Sequence, residues 1–148
     1  MTPRPFALAI PLALLLAGAV QAADTSPHGA ELTVHGASIL HTTDNGDPHA
    51  LLASNVPPDA YFQVYVDETL IYSSNVVVNS YEPQWNEGCS FFARRDSTIT
   101  LAVLEADPDG DIRLLGRWDG TLAALRKAAG TLRFGPVQRL SYFLRVED

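Results

Sequence analysis

Short segments in which polar and apolar residues alternate, separated by turn residues, fill most of this 148-residue chain. The clearest is Thr98 to Leu104, where β-branched residues and leucines follow a period of two. A hairpin is predicted across Ala60 to Tyr72, and a last strand from Val137 to Val146. Counting about seven to eight such strands, with turns roughly every 8 to 12 residues, predicts an all-β fold, an antiparallel eight-stranded β-sandwich.

One segment departs from this pattern. Residues Asp119 to Ala129 carry Leu122 and Leu125, followed by two basic residues and then Gly130. Basic residues in a last turn and a glycine beyond it are typical of a helix end. We therefore predict one short helix near the C-terminus.

The first part of the chain has the pattern of an export signal. Arg4 precedes an uncharged apolar run from Phe6 to Val20, and Val20-Gln21-Ala22 places small residues where a signal peptidase cleaves. The run is short for a transmembrane helix and no charged stop-transfer segment follows it, so we favour a signal over a retained anchor. We expect an exported protein, periplasmic or secreted.

This hypothesis divides the chain into a signal peptide (residues 1–22), a flexible leader (23–30) and one domain (31–148), since the length leaves no room for a second domain. With 10 Lys+Arg against 17 Asp+Glu, the net charge of −7 repels phosphates over most of the surface, so we expect no nucleic-acid binding. The single Cys excludes an internal disulfide and a multi-Cys zinc site.

Carboxylates concentrate in two loops. The first lies between the first two strands and the second follows Leu104; together they hold Asp44, Asp47, Asp59, Glu105, Asp107, Asp109 and Asp111. Carboxylates this close repel one another unless a cation neutralises them, so a solvated acidic rim competes with a Ca²⁺ site made of oxygen ligands. An EF-hand loop starting at Glu105 is excluded, because position 12 is Gly116 and a strand precedes it.

Six segments occur in an order and spacing that are typical of one known family. The most specific is Pro83-Gln84-Trp85-Asn86-Glu87, and the others are Asp59 to Val66, Tyr72 to Val77, Cys89 to Phe91, Ile99 to Asp107, and Leu114 to Gly116. Together they resemble the C2 domain, in an exported, bacterial-style version, over about residues 31 to 146. Within the most specific segment, Trp85, Asn86 and Glu87 are expected to fix a loop through packing and hydrogen bonds.

The resemblance implies a calcium-binding β-sandwich whose metal lies between the two acidic loops. Its ligands would be Asp59, Glu105 and Asp107, with Asp111 as the later loop acid and either Asp44 or Asp47 from the first loop. The chain departs from the family pattern at three positions. Glu105 replaces an Asp, Ala60 replaces a Pro, and Arg113 stands where the pattern more often has the later acid.

Two functions of different class follow. The first is an exported, monomeric, calcium-binding C2-like module that docks on anionic phospholipid or a protein partner, peripheral to the membrane at most. Apolar residues of the first loop (Leu51, Leu52, Val56) either insert into a membrane interface or fold back as a loop core. The alternative is a metal-independent adaptor or structural protein that uses the sandwich as a scaffold. We do not expect an enzyme, because no GxSxG, HExxH or glycine-rich phosphate loop is present.

Overall fold

The computed structural model describes residues 25–40 and 56–147. Within these ranges the chain forms eight strands and one short helix. In chain order they are β1 (His28–Ile39), β2 (Ala60–Val66), β3 (Thr69–Ser73), β4 (Gln84–Ala93), β5 (Thr98–Ala106), β6 (Ile112–Thr121), α1 (Leu122–Lys127), β7 (Thr131–Phe134) and β8 (Val137–Val146).

The strands form two four-stranded antiparallel sheets, ordered β4-β1-β8-β7 and β3-β2-β5-β6. Alternate side chains of β1, such as Ala30, Leu32 and Val34, are buried between the sheets, as a period-two pattern requires. The predicted eight-stranded β-sandwich with one short helix near the C-terminus is confirmed. The most buried side chains of its core include Phe62, Leu32, Ile99, Leu101, Leu122, Leu125, Leu140, Val34, Val64, Val103 and Val137.

Some element boundaries differ from the prediction. Strand β1 begins at His28, within the interval expected to be a leader, because His28 to Ala30 pair with the end of β4. The helix is shorter than predicted, since Asp119 belongs to β6 and lies opposite Thr100 of β5. Strands β6 and β7 were not predicted as separate elements.

Helix α1 is held by contacts at both ends. The side chain of Thr121 accepts a hydrogen bond from the backbone N–H of Ala124 at 3.0 Å, which caps the first turn. The hydroxyl of Tyr142 donates to the carbonyl of Leu125 at 2.6 Å and fastens the helix to β8. In the part of the chain that the structure describes, no helix is long and apolar enough to cross a membrane.

The sandwich has two distinct ends. At one end, which we call the loop end, β1 stops and β2 starts; the N–H of Ile39 donates to the carbonyl of Tyr81, and the N–H of Ala106 to that of Asp59. At the other end the first and last strands lie side by side, and the N–H of Glu147 donates to the carbonyl of Gly29 at 2.8 Å. The predicted calcium site therefore belongs to the loop end.

Candidate functional site

Three of the predicted ligands meet at the loop end because of the pairing of β2 with β5. Ala60 lies opposite Glu105 in this antiparallel pair, which brings Asp59, the residue before β2, beside the end of β5. The N–H of Ala106 donates to the backbone carbonyl of Asp59 at 2.9 Å and fixes the two strand ends. Asp59, Glu105 and Asp107 thus come from two adjacent strand ends, as the sequence predicts.

The carboxylate of Asp59 is oriented by the connection between β3 and β4. Its Oδ1 accepts a hydrogen bond from the backbone N–H of Asn79 at 2.7 Å. Asn79 has a positive φ of 56°, a conformation that asparagine tolerates better than most residues. One oxygen of Asp59 is therefore anchored by the backbone, and the other makes no hydrogen bond within the described residues.

Glu105 lies in a poorly solvated position among charges. Burial raises the pKa of its carboxyl; Arg113 opposes this effect, and the negative charges of Asp107 and Asp59 add to it. Its Oε2 is buried and has no hydrogen-bond partner among the residues that the structure describes. A buried, unpartnered carboxylate oxygen is costly, and a bound cation is one way to satisfy it.

Asp107 already has a cation beside it. Nη2 of Arg113 lies 3.3 Å from Oδ2 of Asp107, and both side chains are partly exposed. The Oδ1 of Asp107 accepts from the N–H of Asp109 at 3.2 Å, and Gly110, with a φ of 89°, completes the turn. Where the family pattern more often has a carboxylate, this chain therefore has the guanidinium of Arg113, which neutralises the carboxylate of Asp107.

The remaining predicted ligands do not complete a shell. Asp111 is exposed, and it contributes its backbone carbonyl to the loop by accepting from the N–H of Asp107 at 2.8 Å. Asp44 and Asp47 lie outside the described residues. Among residues 25–40 and 56–147, no group of three or more His, Cys, Asp or Glu side chains is arranged to hold a metal ion. A complete calcium site would need ligands from the loop between β1 and β2.

The PQWNE segment supports this end of the sandwich. The indole Nε1 of Trp85 donates to the carbonyl of Ala60 at 3.3 Å, and its ring meets Phe62 edge-on with centroids 5.2 Å apart. The carboxylate of Glu87 accepts from the N–H and the side-chain amide of Asn75, at 3.1 Å and 3.0 Å. The predicted packing and hydrogen-bonding role of Trp85 and Glu87 is confirmed: Trp85 binds the carbonyl of Ala60, the residue after Asp59, and Glu87 holds the connection between β3 and β4 through Asn75.

The sequence match to one protein family decides which family the chain belongs to. The model described as C2 domain matches residues 29–133, which is more than half of the chain. The chain belongs to the C2 domain family. No curated protein matches the sequence.

Solved structures with the same fold include several C2 domains. A structure titled "Structure of a C2 domain" is 19% identical, with a TM-score of 0.60, over 82% of this chain and 99% of the other. The calcium-bound structure of two C2 domains of extended synaptotagmin 2 is 19% identical, with a TM-score of 0.62, over 82% of this chain and 46% of the other. Human GIVD cytosolic phospholipase A2 is 12% identical, with a TM-score of 0.62, over 84% of this chain and 17% of the other. This C2 domain thus spans less than half of either larger protein.

Glu87 gives this C2 domain a pH-dependent contribution to stability. Partial burial opposes its ionisation, but hydrogen bonds from Asn75 and Tyr72 outweigh burial and hold the pKa of Glu87 below its ordinary value. The replacement Glu87→Gln is expected to lower the free energy of unfolding at pH 7 by about 1–2 kcal/mol, because these bonds to a charged acceptor weaken. Urea unfolding over a series of pH values measures the difference.

The direction of the pH effect follows from the lowered pKa. The ionised carboxylate stabilises the fold above pH 4.5, and this contribution is lost as the pH falls through the lower pKa of the folded state. The difference in the free energy of unfolding between Glu87→Gln and the wild type should therefore become smaller below pH 4.5. Glu82→Gln, at an exposed carboxylate with no hydrogen bond or ion pair to its side chain within the described residues, is the control. A gap that is the same at every pH would contradict this role.

Arg113 and Asn79 are the site residues whose contacts the sequence does not reveal. The departure of Arg113 from the family pattern is visible in the sequence, yet its ion pair with Asp107 follows from the β5–β6 register, which sets Arg113 opposite Glu105. Asn79 acts through its backbone, so its side chain carries no sequence signal for a contact with Asp59.

Proposed function

We propose that this chain is an exported C2 module that binds Ca²⁺ at the loop end and docks on anionic phospholipid at a membrane surface. The observation that carries the proposal is the buried Oε2 of Glu105, which has no hydrogen-bond partner among the described residues, with the negative charges of Asp59 and Asp107 close enough to raise the pKa of Glu105. Carboxylate oxygens are the ligands that Ca²⁺ prefers. Membership of the C2 family and the calcium-bound extended synaptotagmin 2 of the same fold support the choice of metal.

In this proposal Asp59, Glu105 and Asp107 supply oxygen ligands, and Asp111 with Asp44 or Asp47 completes the set. Bound Ca²⁺ supplies positive charge that offsets carboxylate repulsion and attracts anionic headgroups. Three exposed valines belong to the segments next to Asp59: Val56 precedes it in the chain, and Val76 and Val78 flank Val77, which bridges to Ala60. These apolar side chains are available to a membrane interface once the local charge is cancelled. We further propose that the module acts as a monomer without catalytic activity of its own.

Isothermal titration of Ca²⁺ into the protein tests the metal. We expect binding in the millimolar to submillimolar range typical of extracellular modules, and a rise in melting temperature with Ca²⁺. Asp107→Asn should weaken binding at least about tenfold, because a neutral amide replaces a charged ligand. Asp109→Asn removes the same charge from an exposed residue of the same loop, outside the ligand set, and should change affinity much less.

A specific observation favours a second candidate, the metal-independent adaptor. Arg113 already neutralises Asp107 from within the chain, so the site carries an internal cation. If Ca²⁺ produces neither heat nor a change in melting temperature, and sedimentation with phosphatidylglycerol vesicles is the same with Ca²⁺ and with EDTA, the adaptor replaces the calcium module. In that case Arg113 holds the loop in place of a metal.

A further inference from the structure

A second polar site lies on the outer face of the other sheet. It is an open cleft of about 580 Å³ along β1, β7 and β8, and its lining residues are Ser38, Arg133, Gly135, Val137, Gln138 and Arg139. None of these lining residues is acidic. The cleft lies close to the loop end, because the N–H of Leu40 donates to the carbonyl of Pro136 in the β7–β8 turn.

The pairing of β7 with β8 brings two arginines together in this cleft. Leu132 lies opposite Leu140 and Phe134 opposite Val137, with a bulge between them, so Arg133 falls across from the segment that holds Arg139. Both side chains are exposed. Within the described residues neither has an ion pair or a hydrogen bond, whereas Arg113, Arg117 and Arg145 each pair with an acid.

Within the described residues neither guanidinium group has an acidic partner, so both are available to an anion that enters the cleft. The guanidinium presents its N–H groups as a planar fork that matches the oxygens of phosphate. Gln138 and Ser38 add uncharged donors at the same cleft. In a chain with a net charge of −7, such a local concentration of positive charge indicates a site for an anion rather than a general surface property.

We propose that this cleft binds a phosphate group through Arg133 and Arg139. The site goes beyond the calcium-dependent docking proposed above, since it lies on the other sheet and needs no metal. The phosphate belongs either to a phospholipid headgroup or to a small soluble molecule. Both sources offer the same chemistry to the two guanidinium groups, and the experiment distinguishes them.

The test measures phosphate binding in EDTA, so that the calcium site plays no part. Inorganic phosphate is titrated into the protein by calorimetry, and sedimentation is measured with phosphatidylcholine vesicles with and without phosphatidylglycerol. The double variant Arg133→Gln with Arg139→Gln should weaken binding at least about tenfold. The double variant Arg94→Gln with Arg95→Gln removes the same charge from two exposed residues of the β4–β5 turn. It should change the affinity for phosphate less than about twofold. A third variant, Arg133→Lys with Arg139→Lys, keeps the charge but loses the fork, and an intermediate loss is expected.

Saturable binding of inorganic phosphate that depends on the two arginines supports the proposal with a soluble phosphate as source. Arginine-dependent binding to phosphatidylglycerol vesicles alone supports it with a headgroup as source. The proposal is overturned if the wild type binds neither probe, or if both glutamine variants lose binding equally. Asp107→Asn should bind phosphate like the wild type, so failure of the calcium proposal leaves this result unaffected.

Discussion

Replacing Phe62 with alanine is expected to lower the free energy of unfolding by about 3–5 kcal/mol. Phe62 is 1% exposed, and its ring packs against Trp85 and, at a centroid distance of 5.7 Å, Tyr72. Truncation leaves a cavity at the point where β2 meets the PQWNE segment. Urea unfolding followed by tryptophan fluorescence measures the change.

Phe92→Ala is the matched control for this prediction. The same side chain is removed, but Phe92 is 77% exposed on the outer face of edge strand β4. We expect a change of less than about 0.5 kcal/mol there. Equal destabilisation by the two substitutions would show that Phe62 does not hold the core together in the way the packing indicates.

Arg113→Asp is expected to strengthen Ca²⁺ binding at least about tenfold, or about 1.4 kcal/mol. The substitution removes the guanidinium that pairs with Asp107 and supplies a further oxygen ligand beside Glu105. Without Ca²⁺ the variant should be less stable than the wild type, because Glu105 loses the positive charge that favours its ionised form. Calorimetric titration and melting curves with and without Ca²⁺ check both parts.

Arg94→Asp makes the same change of charge in the β4–β5 turn, at the end of the sandwich opposite the acidic loops. Its effect on Ca²⁺ affinity should be small, since exposed charges at that distance are screened. If Arg113→Asp and Arg94→Asp bind Ca²⁺ equally well, the total charge of the protein sets the affinity, and the position of Arg113 beside Asp107 does not. If Arg113→Asp shows no binding at all, the three carboxylates do not form a metal site.

The fold was predictable because its signal is local. The hairpin across Ala60 to Tyr72 and the strand from Val137 to Val146 each show alternation that a half-buried strand requires, and the structure places them as predicted. Strand β6 was not predicted because Gly116 and Gly120 interrupt the alternation of polar and apolar residues along it. Its pairing with β5 is also irregular, with a bulge between Val103 and Leu104. The helix was overextended because residues 119–121, which precede its first residue, continue the sheet.

The juxtaposition of three candidate residues was predictable, whereas their electrostatics were not. Asp59 precedes β2, and Glu105 and Asp107 lie at the end of β5, so the pairing of β2 with β5 in the C2 fold places them together. The ion pair of Arg113 and the desolvation of Glu105 depend on three-dimensional neighbours, which spacing along the chain does not supply. The arginine cleft was invisible for the same reason, since its two arginines are separated along the chain and meet only through the β7–β8 register.

The pairing of Gly29 with Glu147 has a practical consequence for how this domain is handled. The start of β1 and the end of β8 lie beside each other, at the end of the sandwich opposite Asp59 and Asp107. An affinity tag, a fluorescent reporter or a sensor-chip linker joined there projects away from the acidic loops. A molecule immobilised in this way presents its carboxylates to solution, so ligand titrations and vesicle measurements can be made on the tethered form.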